Sequence, residues 1–261
     1  MHQFVPLEKM LARINKRSKL ARNVTPKEAK ISFPIITSVK NKVLTIYDQG
    51  QLGSCTSNAF CGAYLILENI KNGAVLFEPS RLFLYFYERL IEDPTHNIND
   101  LTDSGADVID GESYVLASGI CSETSWPYII SQYNVRPPLT CNIEATSHKI
   151  AEYHTIPLDA NLINNIKLSL NNQTPVLIAL QAFESFESLY TEQTGVVTMP
   201  APTEQSLGGH EMVIVGYTDN VKLFTVLNSW SNTWGKQGFC YMPYAYITNP
   251  NLGLEFTVFT L

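Results

Sequence analysis

The sequence predicts an α+β protein of two halves, because helix-like and strand-like patterns occupy different parts of the chain. In the first half, apolar residues recur every three or four positions, which is typical of helices. In the second half, short β-branched and aromatic runs are separated by turn residues, which is typical of strands. The chain has 261 residues, of which 45% are apolar, so it can enclose a large core. We therefore expect a helical half packed beside a β-rich half.

The N-terminal segment is basic, whereas the rest of the chain is acidic. Residues 1–31 carry eight Lys or Arg and two Glu, although the whole chain has a net charge of −6. Apolar residues between 5 and 19 have helical spacing, which predicts a short amphipathic helix. Residues 21–31 are polar and are predicted to be a linker. Two interpretations stay open: a solvated tail, or a segment that docks on the acidic body through charge complementarity.

Three more helices are predicted in the first half. A turn-rich stretch from Gln49 to Cys55 leads into a helical pattern over 55–71 that contains small and branched apolar residues, with Gly53 or Ser54 in the N-cap region. Residues 80–91, dense in Leu, Phe and Tyr, and residues 106–118 form the next two patterns. The helix over 55–71 is expected to be buried.

The second half begins with one more helical pattern, over residues 160–171, and then changes to strands. Gly, Asn, Asp and Pro separate the strand-like runs, as they do between the strands of a β-rich domain. The runs cover residues 176–181, 212–217, 223–227, 238–242 and 254–259.

Composition excludes several classes of function. A net charge of −6 argues against general nucleic-acid binding, which requires a basic surface. No apolar run reaches the roughly 18 residues of a transmembrane helix, and no secretory signal is recognisable, so we expect no membrane association. The five cysteines include no CxxC pair. We therefore expect no metal site and at least one free thiol.

Four residues match the requirements of a cysteine nucleophile. Cys55 lies at an expected helix N-terminus, where backbone amides favour a thiolate. His210 is a candidate acid/base, and Asn228 can accept from its imidazole and fix the tautomer. Gln49 can offer a side-chain amide to a developing oxyanion. Trp230, two residues after Asn228, can shield the imidazole bond from water.

These blocks resemble the papain/cathepsin family of cysteine peptidases. The resemblance covers residues 32–261 and is most specific at Gln49–Cys55, His210 and Asn228-Ser229-Trp230. It implies that Cys55 is the nucleophile, with His210 as its acid/base and Asn228 as the orienting group. Where the family has a half-cystine and an aromatic residue around the nucleophile, this chain has Leu52 and Thr56, so the family's neighbouring disulfide cannot form.

The resemblance also implies an architecture. It predicts a papain-like two-domain fold in which a mainly helical domain, 32–158, faces a mainly β domain with a barrel-like sheet, 159–261. The active-site cleft lies between them. The basic residues 1–31 resemble a short propeptide by position, and we expect this zymogen-like segment to cover part of the cleft as an intramolecular partner. No cofactor is implied, and a monomer acting on peptide or protein substrates is expected.

Five further residues are expected to contact substrate. Ser104 and Gly105 resemble the family's glycine-containing stretch that binds the substrate backbone. Gly209, before the histidine, allows the backbone of a substrate to approach closely. Glu255 and Thr257 lie in a segment that resembles the floor of the main specificity pocket, which leaves hydrophobic and basic side chains both open. Trp230 is also counted among the residues near substrate.

Two alternatives remain beside an endopeptidase. One is a related cysteine hydrolase such as a deubiquitinase, and the other is a catalytically silent papain-like binding protein. Endopeptidase action is the default because no paired histidines mark an exopeptidase loop. The sequence Gln-Gly-Gln-Leu-Gly-Ser-Cys-Thr at residues 49–56 resembles that of bacterial and giant-virus (mimivirus-type) members of the papain/cathepsin family. A viral source implies a cytoplasmic or virion-packaged protein.

Overall fold

The computed structural model describes residues 2–17, 32–92 and 101–261. The predicted linker, 21–31, lies outside these residues. The first helix, α1, spans Leu7–Arg17, so the prediction of a helix from residue 5 was wrong at its start. Pro6 explains the difference, because a proline disfavours the helical conformation of the residue before it. Val5 instead forms an antiparallel bridge with Gly209.

The predicted helices of the first half are confirmed, with small shifts at their ends. The nucleophile candidate opens α2, and Gly73 ends this helix in the left-handed conformation at φ 71°, which a glycine adopts without strain. The short helix α5 was not predicted. These helices span Cys55–Asn72 (α2), Arg81–Glu92 (α3), Val108–Ser118 (α4) and Leu139–Ala145 (α5).

The second half is built on one antiparallel sheet of seven strands. Six strands follow the order β2-β7-β3-β4-β5-β6, and β1 pairs with the end of β4. All five predicted strands are present, while β1 and β2 were not predicted. The strands are Ile36–Ser38 (β1), Glu152–Thr155 (β2), Val176–Phe183 (β3), Ser206–Thr218 (β4), Leu223–Leu227 (β5), Phe239–Pro243 (β6) and Gly253–Thr260 (β7).

The long strand β4 separates two apolar cores. Val213 and Val215 pack with α2, α3 and α4 on one face. Met212 and Ile214 pack on the other face, with two further helices, α6 (Leu162–Asn171) and α8 (Tyr244–Thr248). Side chains alternate between the two faces of a strand. His210 therefore lies on the same face as Met212, and Glu211 lies on the face that packs against α2. This alternation thus determines which of the two cores His210 and Glu211 each face.

The remaining helices cover the second face of the sheet and its edges. The predicted helix over 160–171 corresponds to α6, Leu162–Asn171, whereas α7, Leu189–Thr194, and α8, Tyr244–Thr248, were not predicted. Helices of five or six residues carry too few apolar repeats to be recognised from spacing. Among the helices described, none combines the length and the apolar character needed to cross a membrane.

Candidate active site

Cys55 is the first residue of α2, directly after the N-cap residue Ser54. The backbone N–H groups of Glu211 and Thr56 hydrogen-bond its thiol and act to lower its pKa. Burial has the larger effect, because a thiolate without water is poorly solvated. It raises the pKa of Cys55 to about 12, and the residue is only 1% exposed. In this state the sulfur keeps its proton.

His210 lies on β4, adjacent to the backbone group that contacts Cys55. Its Nε2 is 2.8 Å from Oδ1 of Asn228. An amide oxygen only accepts, so Nε2 carries the proton and donates. The other ring nitrogen, Nδ1, is buried and has no hydrogen-bond partner among the described residues. Burial lowers the pKa of His210 to about 4, although the bond to Asn228 opposes this shift.

Aromatic rings enclose the bond between His210 and Asn228. The indole of Trp230 lies 4.9 Å from the imidazole, centroid to centroid. Phe186 packs edge-on against both rings, and Trp234 packs edge-on against Trp230. Because a hydrogen bond weakens when water competes for it, this enclosure keeps the imidazole in one orientation.

Gln49 is fully buried, and hydrogen bonds fix both its backbone and its side chain. Its backbone N–H donates to the carbonyl of Ser229 at 2.9 Å, and its side-chain oxygen accepts from the Ser229 hydroxyl at 2.7 Å. The amide nitrogen donates one N–H to the carbonyl of Leu52 at 3.0 Å. A side-chain amide has two such donors, so the second remains available. Tyr128 supports the same residue by donating to its backbone carbonyl at 3.0 Å.

The structure therefore brings Gln49, Cys55, His210 and Asn228 to one place at the junction of α2 and the sheet. The model of the papain family of cysteine proteases matches residues 35–255, a range that includes all four residues. The chain belongs to this family. Membership places it among the cysteine-type peptidases, which are hydrolases.

Individual relatives agree with this assignment. The chain is 36% identical over 249 residues to an uncharacterized peptidase C1-like protein of Acanthamoeba polyphaga mimivirus, covering 93% of this chain and 78% of that protein. Xylellain, a cysteine protease from Xylella fastidiosa, has a similar structure, with a TM-score of 0.82, 30% identity and coverage of 92% of this chain and 91% of that one. The predicted resemblance to bacterial and mimivirus-type members is confirmed.

More distant relatives are longer than this chain. Cysteine proteinase 3 of Dictyostelium discoideum is 30% identical over 207 residues, which cover 78% of this chain and 56% of that protein. The structure of procathepsin L 3 from Tenebrio molitor superposes with a TM-score of 0.68 at 20% identity, over 97% of this chain and 79% of that one. The second likeness supports the papain-like α+β fold alone.

The N-terminal segment of this papain-family chain lies across the candidate site. We call residues 2–17 the covering segment. Val5 exchanges two backbone hydrogen bonds with Gly209, at 3.0 and 2.6 Å. Phe4 packs edge-on against His210, and His2 stacks on Trp230. The segment therefore covers His210 directly and pairs with β4 beside it.

Further contacts join the covering segment to both halves of the molecule. Met10 lies in an apolar cluster with Ala179 and Leu254 of the sheet. Arg13 forms an ion pair with Glu92 of α3 and donates to the carbonyl of Ala106 at 3.0 Å. In the described part of the chain, the half-buried pair of Arg13 and Glu92 thus agrees with the charge complementarity expected from the sequence.

The residues predicted to contact substrate differ in how far they are buried. A side chain on Gly105 would collide with Val5, and the backbone of Gly209 pairs with the same residue. Ser104 directs its hydroxyl to the adjacent carbonyl of Gly105 at 3.1 Å. Glu255 is half-buried on β7, whereas Thr257 is fully buried. These five roles stay predictions.

Sequence reasoning missed a set of buried carboxyl groups beside the candidate site. Glu88 on α3, Glu112 on α4 and Glu211 on β4 are all buried, and burial raises the pKa of each well above its usual value. Glu88 accepts from Thr56 at 2.8 Å, and Glu112 accepts from Thr257 at 2.8 Å. Among the described residues, one oxygen of each of the three carboxyls has no partner. The strand period alone could have placed Glu211 on the α2 face.

The described residues contain no disulfide and no cluster of side chains that could bind a metal ion. No group of three or more His, Cys, Asp or Glu among them is arranged to hold a metal ion. All five cysteines are free and buried. The thiol of Cys121 donates to the sulfur of Cys141, which donates in turn to the carbonyl of Ser125 at 3.6 Å, and burial raises the pKa of both thiols.

Proposed function

We propose that this papain-family chain is an endopeptidase in which Cys55, His210 and Asn228 perform the chemistry. One arrangement supports the proposal most strongly: Asn228 holds the imidazole of His210, while the adjoining N–H of Glu211 contacts the Cys55 thiol. A nucleophile, a base and an orienting group in this order are what thiol-based acyl transfer requires.

In the first step, the thiolate of Cys55 attacks the carbonyl carbon of a peptide bond. The carbonyl oxygen becomes negatively charged and needs donors in fixed positions. The N–H of Cys55 is one donor, because the first residues of a helix have no intrahelical acceptor for their N–H groups. The second N–H of the Gln49 amide is the other.

In the second step, the proton taken from the thiol passes from His210 to the leaving amine, and the C–N bond breaks. The acyl group then remains on Cys55 as a thioester. A water molecule, deprotonated by His210, attacks the thioester, which releases the acid product and restores the thiol. Asn228 keeps the imidazole in position through both transfers.

We further propose that the covering segment acts as a short propeptide. While it excludes water, the pKa of Cys55 is about 12 and that of His210 is about 4, so the thiolate–imidazolium pair does not form. Departure of the segment hydrates the site. Hydration removes the main cause of both shifts and lets the helix N-terminus favour the thiolate.

The test is cleavage of a peptide library by the full chain, followed by mass spectrometry. Cys55→Ala should abolish cleavage, whereas Cys61→Ala, which removes another buried thiol from the same helix, should retain it. Equal cleavage by the Cys55→Ala variant and the wild type would overturn the proposal. Fast iodoacetamide labelling of Cys55 without any cleavage would favour a binding protein or a hydrolase of another substrate class.

A further inference from the structure

A pocket next to Trp230 is not used by the proposed chemistry. It has a volume of about 230 Å³ and is lined by His2, Glu187, Glu192, Trp230 and Trp234. Glu187 ends a short 3-10 helix, and Glu192 lies on α7. Two carboxylates and two indoles therefore form its walls, and His2 of the covering segment closes it.

His2, which closes this pocket, covers the indole of Trp230. The ring of His2 lies parallel to the indole of Trp230, with 3.9 Å between centroids and 4° between planes. The backbone N–H of His2 donates to Glu187 at 2.9 Å, and its ring bonds the backbone of Gly50. Glu187 and Asp48 both act to raise the pKa of this histidine, although burial lowers it overall. A flat ring is thus stacked on the indole, and the backbone N–H of the same residue is bonded to a carboxylate.

We propose that this pocket, once His2 leaves, selects a cationic side chain of the substrate, Arg above all. A guanidinium is planar and positive, so it can stack on an indole while donating to a carboxylate. Trp230 supplies the ring face, and Glu187 and Glu192 supply the acceptors. Among the described residues that line the pocket, none is Lys or Arg, so nothing in the wall repels a cation.

The position of the pocket determines which substrate residue enters it. Trp230 packs against His210, and this inference rests on the proposed function, in which His210 protonates the leaving amine. The amine belongs to the residue after the scissile bond. The pocket therefore receives a side chain from the C-terminal product, and we expect cleavage before Arg or Lys.

The aromatic rings packed around Trp230 indicate that the pocket selects a side chain by its planar shape as well as by its charge. Phe186 packs edge-on against Trp230, at 5.4 Å, and stacks on Trp234, at 5.6 Å. These rings fix the indole plane, so it offers a flat surface in one orientation. Arg should be favoured over Lys, because only the guanidinium makes a planar stack and a forked hydrogen bond together.

The experiment compares peptides that differ only in the residue after the scissile bond: Arg, Lys, Ala or Glu. With the full chain, kcat/KM should be about tenfold higher for Arg than for Glu, as expected for one cation–π contact and exposed ion pairs. The ratio of the two values is the readout. A change in the fraction of open enzyme cancels from this ratio, so any effect of a variant on the covering segment does not distort it.

Variants then assign the preference to the pocket. Glu187→Gln with Glu192→Gln should reduce the Arg/Glu ratio to about twofold or less. Glu152→Gln makes the same change of charge at an exposed position on β2 and should leave the ratio unchanged. A wild-type ratio near one, or a ratio that the two pocket substitutions do not alter, would overturn the inference.

A binding measurement separates this inference from the proposed function. If no peptide is cleaved, the full chain with His2→Ala is titrated with Arg-Ala-NH2 and Glu-Ala-NH2 while tryptophan fluorescence is recorded. Preferential binding of the Arg compound, lost on Glu187→Gln, would retain the subsite although the peptidase mechanism had failed. Equal binding of both compounds would contradict the subsite itself.

Discussion

The hydroxyl of Ser229 fixes the direction of the Gln49 amide. It donates to the amide oxygen at 2.7 Å, so the amide nitrogen must point the other way, toward Leu52 and the space in front of Cys55. The proposed oxyanion donor thus depends on a neighbour of Asn228. In the proposed mechanism each position of the motif Asn228-Ser229-Trp230 has its own role: the first orients the imidazole, the second orients the amide, and the third shields the imidazole.

Ser229→Ala should lower kcat about two- to tenfold with little change in KM. This range is the net contribution of one hydrogen bond, and the loss falls on kcat because the amide acts on the oxyanion of the transition state. Steady-state kinetics on one peptide measure it. Ser231→Ala, three residues along the chain from Asn228, is the control, because its hydroxyl bonds Thr233 instead.

A double-mutant cycle shows whether the effect passes through Gln49. If the hydroxyl acts by orienting the amide, Ser229→Ala should cost nothing more in a Gln49→Ala background. Additive losses in the double variant would show that Ser229 acts elsewhere.

The sequence predicts the proposed roles of Cys55, His210 and Asn228 because these residue types can carry the chemistry themselves and occur in the order that the family has. It does not predict the partner of Ser229, because a hydroxyl bonds many groups and its acceptor here is 180 positions away. Tyr128 was missed for the same reason, since its acceptor on Gln49 is 79 positions away. Roles that depend only on long-range contacts need the structure.

At the scale of elements, the covering segment behaves partly as a strand and partly as a helix. Periodicity correctly predicted α1 but extended it over Val5, which pairs with Gly209 instead. Spacing of apolar residues does not distinguish a helix turn from a short bridge, and Pro6 was the local signal of the change. The strands of the second half were predicted well because turn residues separate them.

The variant Phe4→Ala/Val5→Ala should expose Cys55 more often. Both side chains pack in the cleft, and Val5 is only 2% exposed. Loss of about 1.5–3 kcal/mol for one buried apolar side chain shifts the covered–open equilibrium by at least about tenfold. The rate of iodoacetamide labelling at Cys55, followed by mass spectrometry, should rise by that factor.

Leu11→Ala is the matched control for this prediction. Leu11 belongs to the same segment but is 39% exposed, so its truncation should change the labelling rate little. Equal rates for the wild type and the double variant would show that the segment does not limit access to the thiol.

At the scale of the whole molecule, the two halves meet across buried carboxyl groups. Glu88 and Glu112 come from helices, and Glu211 comes from the sheet. Folding raises the pKa of each carboxyl, chiefly through burial. The folded protein therefore retains protons that the unfolded chain releases above about pH 4.5. Their stabilising contribution is complete below that pH and is lost as the pH rises.

Glu112→Gln should make the protein less sensitive to alkaline pH. The amide keeps an acceptor for Thr257 but has no proton to lose. The decrease in unfolding free energy between pH 5 and pH 8 should therefore be smaller in the variant than in the wild type. Urea unfolding at the two pH values measures this change.

An exposed carboxyl provides the comparison. Glu184→Gln should leave the difference between pH 5 and pH 8 as it is in the wild type, because that side chain is exposed and its amide keeps an acceptor for the N–H of Gln205. Parallel loss of stability in the wild type and the Glu112→Gln variant would show that this carboxyl does not cause the pH dependence.

The alternation along β4 has one more consequence. Pairing with β3 runs unbroken from Val176–Ile214 to Ala182–Gly208, and irregular pairing occurs only beyond this stretch. Insertion or deletion of one amino acid within it would shift the pairing by one residue, so that Gly209 or Glu211 replaced His210 beside Asn228. Such length changes should be tolerated in the loops that flank β4 and should inactivate the enzyme inside it, even where every functional side chain is kept.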